Sequence, residues 1–435
     1  MREMKDSGVP WIGEIPKEWM VCRIKHVLMP GKDGIKIGPF GSSLTNKVNG
    51  EGVYKIYGQW NIVNKDFSAG KNYVSEETFE ELRNYMVYTG DVLISMMGTI
   101  GKCAIIPCDI QPGIMDSHVI KARLDKSLFI DRYFERVFDK DNSSIVYEQM
   151  QKGKKGSIMD GLNSSIVKNL IIPFPSIDEQ QRIADFLDAK CAELDTILDN
   201  TRASIEDYKA LKLSVITKAV TKGIRGERPM KDSGVEWIGA IPADWDVMKI
   251  KWLLKERNDR SEEGYEEPLS MSQKFGIIPT KDMDMVPNMA SSFVGAKLVY
   301  RGDLVFNKLK AHLGVFAVSE YEGLVSPDYA VYYSAGRCDV KYLERIFKTP
   351  QYISEFRKRS TGVGAGLTRL YTSDLFDMYT ALPSETEQKE ISAYLDDKCA
   401  TIDSLIASKE ALITELEAYK KSLIYEYVSG KKEVI

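Results

Sequence analysis

The chain has 435 residues, room for two to four domains, and its 43% hydrophobic and 28% charged residues are those of a globular protein. Its net charge of -4 and pI near 5.7 argue against a simple basic nucleic-acid binder. No apolar run approaches the roughly 20 residues that span a bilayer, and the N-terminus has no apolar signal segment, so a cytoplasmic protein is expected.

The first element is a motif, Met4-Lys5-Asp6-Ser7-Gly8-Val9, followed by Trp-Ile-Gly, Ile-Pro and Trp; it returns from Met230, and twelve of the sixteen residues from Met4 to Trp19 recur. A unit of over 200 residues present twice is too long for a solenoid and suggests an internal two-fold. Trp11, Trp19, Trp237 and Trp245 read as packing residues that dock each domain onto the helices described below.

A segment of mixed strand and helix follows each motif. In the first copy the apolar runs at 90–94 and 103–107, either side of a turn at 98–101, read as buried strands, with another at 119–124 and a helix at 133–138. The second copy offers 302–306, 314–318 and 329–333 as strands and 342–347 as the helix. Elsewhere the two segments are hard to align, as a common scaffold with different recognition surfaces would be. Each ends in a basic, glycine-containing stretch, Lys152, Lys154 and Lys155 in one and Arg357, Lys358 and Arg359 in the other, placed to contact phosphates without reading sequence. The loop 38–47, with Lys36, Ser42, Ser43 and Lys47, and the turn Asn307, Lys308, Lys310 and His312 are candidates for base readout; Arg369 is a further DNA-binding candidate.

Each segment leads into a long helix. From Leu187, steps of four and three reach Cys191, Leu194, Leu198, Ile205 and Tyr208; in the second copy they run Leu395, Cys399, Ile402, Ile406, Ile413 and Leu416. Thr201 and Lys212 interrupt the first seam, and Lys409 and Lys420 the second at equivalent places. Such seams predict an antiparallel coiled coil of up to about 60 Å, within which Cys191 and Cys399 are small apolar residues. The acidity lies mainly on these helices, with 7 basic against 9 acidic residues at 177–222 and 7 against 11 at 385–435. Glu179 and Arg182 read as solvated surface charge. Six scattered cysteines make neither a disulfide framework nor a zinc site expected.

No phosphate-binding loop, methyltransferase signature or nucleophile elbow is present, and His26, His118 and His312 are isolated, so the chain reads as a binding protein rather than an enzyme. Residues 5–16 and their copy, Ile172-Pro173-Phe174-Pro175 leading to Glu179-Gln180-Gln181-Arg182-Ile183-Ala184, and the counterpart at 383–391 resemble the specificity subunit of Type I restriction-modification enzymes over essentially the whole chain. Gly98-Thr99-Ile100-Gly101-Lys102 also looks like a stretch common in that family, which adds Thr99 and Lys102 to the DNA-binding candidates.

The resemblance implies an α/β (mixed α+β) fold: a first target-recognition domain at 1–175, a coiled-coil helix at 176–224, a second recognition domain at 225–383 and a second helix at 384–435. It further implies a subunit without catalytic activity that binds a bipartite, asymmetric double-stranded DNA site and recruits two methylation subunits and restriction subunits. S-adenosylmethionine, ATP and magnesium then belong to those partners, and this chain holds no cofactor or metal. Three alternatives stay open: the specificity protein of a fused nuclease-methylase system, a coiled-coil scaffold without DNA readout, and an enzyme with no recognisable motif.

Overall fold

Short apolar runs bounded by glycine turns become antiparallel strands in the computed structural model, which describes residues 2–39, 41–44, 50–143, 145–152, 162–272, 275–283, 292–362 and 368–434. The chain divides into two compact units, one made of 1–202 with 410–435 and the other of 203–409. Each of the long helices described below is shared between the two units.

In the first unit a four-stranded antiparallel sheet runs in the order Ile35–Ile37, Val119–Ala122, Val92–Ser95, Cys103–Ile105. Val92 and Ile94 face a core that includes the helix Asp131–Phe138 and the long helix, while Leu93 and Val119 face a second core with Tyr57 and Ile62. Burial on both faces explains why these strands read as unbroken apolar runs. The second core belongs to the chain inserted ahead of the central strands, in which Tyr54–Tyr57 pairs with Tyr73–Val74 and, in parallel, with Gly113–Met115.

The second unit repeats the plan. Its sheet is ordered Leu254–Arg257, Tyr329–Ser334, Leu304–Asn307, Phe316–Val318. Leu304 and Phe306 face the helical core, and Val305 and Val331 face the inserted part with Leu269 and Val325. The expected helices appear as Asp131–Phe138 and Val340–Phe347.

The long helices are Ile177–Lys222, of 46 residues, and Glu385–Val428, of 44. Leu187, Cys191, Leu194, Leu198 and Ile205 are buried, as are Leu395, Cys399 and Ile402, while Tyr208, Ile406, Ile413 and Leu416 are half-buried. Within the first unit Asp195 pairs with Lys420 and Arg202 with Glu417. Within the second, Lys212 pairs with Asp403 at 2.6 Å and Arg225 with Glu390 at 2.7 Å. In each unit the partner number falls as the residue number rises, so the helices are antiparallel. Seam lysines are tolerated because their ammonium groups reach carboxylates on the facing helix, and Lys409 lies 5.7 Å from the Tyr208 ring centroid.

The helix starts depart from the sequence reading. Glu179 is buried rather than solvated: the Trp19 indole N–H donates to its carboxylate at 2.7 Å, and Arg2 pairs with it while lying over the Trp19 ring. Glu387 holds Trp245 at 3.2 Å and Arg228 at 2.6 Å in the same way. The adjacent glutamines are also internal, the Gln180 side-chain carbonyl accepting from the Ile130 amide and that of Gln388 from the Asp339 amide. A Glu-Gln pair placed where a helix begins thus fastens the tryptophan motif and the strand-bearing scaffold to the helix. Trp11 and Trp237 are packed against the cores, as the packing reading expects.

Candidate nucleic-acid interface

In both units the same two strands end in a tight tip. Gly113–Met115 and Val119–Ala122 are joined by Asp116, Ser117 and His118; Gly323–Val325 and Tyr329–Ser334 are joined by Ser326, Pro327 and Asp328. A Cβ on Gly113 would strike the Lys55 carbonyl and one on Gly323 the Glu267 carbonyl, so both glycines are required by the same close strand approach. The scaffold is shared and the tips are unlike.

Several sequence candidates converge on these tips. Gly38 packs on the Asp116 carbonyl with no room for a side chain, and the Met96 amide donates to the His118 carbonyl at 3.1 Å, bringing the 98–101 turn alongside. Thr99 shares a hydrogen bond of 2.6 Å with Ser95, so it shapes that turn. In the second unit Asn307 accepts from the Leu309 amide at 3.2 Å, and Lys308, whose pKa is lowered by burial, offers its carbonyl to Leu370. Arg369 lies 3.3 Å from Asp328 of the tip. Lys310 is exposed and His312 half-buried on the following turn.

Other candidates are engaged elsewhere. Lys102 pairs with Asp141, and burial lowers its pKa. Lys36 donates to the Asn84 carbonyl at 3.0 Å. Arg357, Lys358 and Arg359 end the helix Pro350–Arg359, where Lys358 and Arg359 both pair with Glu355 and Arg357 is exposed. Ser43 is half-buried on the short helix Gly41–Leu44. Lys47, Lys154, Lys155 and the side chains of Ser42 and Lys152 lie outside the described residues. Among the described residues no His, Cys, Asp and Glu cluster could hold a metal, and no helix is long and apolar enough to cross a membrane.

Each tip borders a cleft. The first, of about 670 Å³, is walled by Asp116 and His118 together with Gln59, Trp60, Asn72 and Met97; the second, of about 320 Å³, is walled by Ser326, Pro327 and Tyr329 with Ser270, Thr280 and Phe293. Sequence reading missed Gln59, Trp60, Asn72 and Asp116, which come from three separated segments. The aligned Gly113 and Gly323 strands, each followed by a divergent triplet, were the signal available.

Each unit thus carries the same scaffold, a stretch of antiparallel long helix and a tip unlike that of the other unit. Residues 16–207, a little under half of the chain, match the family model "Type I restriction modification DNA specificity domain", and curated relatives named as specificity subunits of Type I restriction enzymes are similar over parts of the chain. The MjaVIII specificity subunit of Methanocaldococcus jannaschii is 23% identical over 312 residues, covering 69% of each chain. The MjaX protein of the same organism, whose assignment as a specificity subunit is provisional, is 26% identical over 244 residues, 55% of this chain and 53% of its own length. The match thus spans about half of that relative.

Two solved chains share the fold. One, from work on complex assembly and conformational transition of the type I R-M system, superposes with a TM-score of 0.70 at 14% identity over 96% of this chain and 99% of its own. The HsdS subunit from Thermoanaerobacter tengcongensis gives 0.55 at 15% identity over 96% and 98%.

Proposed function

We propose that this chain is the non-catalytic specificity subunit of a Type I restriction-modification complex, reading a bipartite, asymmetric DNA site with one unit per half-site. The observation that carries the reading is the pairing of one scaffold with two different tips: a common mount for two unlike surfaces suits two unlike half-sites. The subunit recruits two methylation subunits and restriction subunits in the cytoplasm, and S-adenosylmethionine, ATP and magnesium are bound by those partners. The exposed Arg357, with the Lys152, Lys154 and Lys155 stretch, supplies phosphate contacts that position the duplex.

Mapping modified bases in host DNA with and without this chain tests the reading. Methylation confined to a two-part, non-palindromic sequence, lost when the chain is deleted, is expected. Methylation unaffected by the deletion would leave a coiled-coil scaffold as the better account.

A further inference from the structure

The cleft beside Asp116 carries more chemistry than a generic recognition surface. Its floor is rigid: Asn61 accepts from the Gly58 amide at 3.0 Å and donates to the Asp66 and Ala69 carbonyls at 2.8 and 3.0 Å, which fixes the short helix Gln59–Asn64. On that platform Gln59 donates its amide to the His118 carbonyl at 3.2 Å, leaving its own carbonyl oxygen as an acceptor at the rim. Asp116 uses Oδ1 on the Ser117 amide and hydroxyl, which leaves Oδ2 as a second acceptor on the cleft side, beside Gly58. Trp60, a large apolar ring, is 55% exposed at the same mouth.

Phosphate does not suit this site. Asp116 is the formally charged residue of the lining and has no ion-pair partner among the described residues, so a phosphate would be repelled. A base edge suits it, because a carboxylate and an amide carbonyl accept from exocyclic amino groups, and an aromatic face contacts the apolar parts of bases. The matching cleft against the tip of the second unit, with hydroxyls and an aromatic ring in place of these groups, marks the position as a recurring feature of the scaffold.

We propose that the Asp116 cleft reads a base that presents an exocyclic amino group in the major groove, adenine or cytosine, in the half-site of the first unit, with Gln59 and Asp116 as the acceptors and Trp60 as the apolar contact. This rests on the DNA-specificity reading above and adds the residues and the class of base.

The test is selection from random-sequence duplexes by the full chain assembled with its methylation subunits, for the parent, Gln59→Ala, Asp116→Asn and Trp60→Ala. The parent enriches a two-part sequence. Gln59→Ala and Asp116→Asn are expected to relax discrimination by about 5- to 100-fold at one or two adjacent positions of one half-site, where the parent prefers adenine or cytosine. The other half-site and the salt dependence stay as in the parent. Asp116→Asn is isosteric and keeps an acceptor for Ser117, and an unchanged second half-site reports that each variant is folded. Parental base weights at every position in all three variants would overturn the proposal while leaving the specificity reading intact, and so would a uniform loss of affinity with a shallower salt slope, the mark of a phosphate contact. A parent that enriches no sequence would remove both.

Discussion

Glu387 is 1% exposed and holds both the Trp245 indole and the Arg228 guanidinium. Removing one partner from a buried ion pair leaves an uncompensated charge and an unsatisfied donor. Glu387→Ala is therefore expected to cost about 3–5 kcal/mol in the second unit, and denaturant unfolding followed by tryptophan fluorescence measures it. Lys121 gives a pH-dependent case. Its side chain is 5% exposed and donates to the Met86 carbonyl, and burial lowers its pKa to about 8. Between pH 8 and the ordinary lysine value near 10.4 the unfolded chain binds more protons than the folded one, so this group's contribution to stability rises with pH. Lys121→Met should then gain on the parent near pH 7.5 and lose about 1–2 kcal/mol of that advantage by pH 9.5; urea titrations at the two values decide it.

The seam shows which part of a helix pair stabilises it. Leu395 is fully buried, and Leu395→Ala is expected to cost about 2–5 kcal/mol. Asp195 and Lys420 are more exposed, at 53% and 22%, so their coupling in a double-mutant cycle should stay below about 1 kcal/mol. Seam and strands were legible in the sequence because both are local patterns of apolar residues. The fastening at the helix starts was not, since Glu179 and Glu387 look like surface charge until Trp19 and Trp245, more than 140 positions away, are brought against them. The clefts were hidden for the same reason. The Asp91 clamp shows how far a scaffold hides its equivalences: Asp91 is held by Arg123, just past the strand Val119–Ala122, and the matching Asp303 by Arg257, on the edge strand Leu254–Arg257.

Across the whole molecule the ends of the two long helices play interchangeable parts. The Tyr133 hydroxyl donates to the Val428 carbonyl in the first unit, and the Tyr342 hydroxyl to the Val220 carbonyl in the second. Val220 and Val428 close equivalent helices, so a fragment ending near Gly226 carries a substitute for the segment it lacks. Two such fragments should exchange helix ends and sediment as a dimer at micromolar concentration; a monomer would show that the equivalence does not extend to pairing. The chain termini are neighbours, Arg2 lying 3.9 Å from Glu433, so the first unit is closed by residues from both ends of the sequence. Synthesis meets these units in an order of its own. The ribosome releases residues 1–202 roughly 200 codons before 410–435 exist, an interval of about 10–40 s at ordinary elongation rates. The central unit, contiguous in sequence, can finish first, while the nascent first unit waits with an uncovered helix and is open to chaperones or to a neighbouring chain on the same polysome.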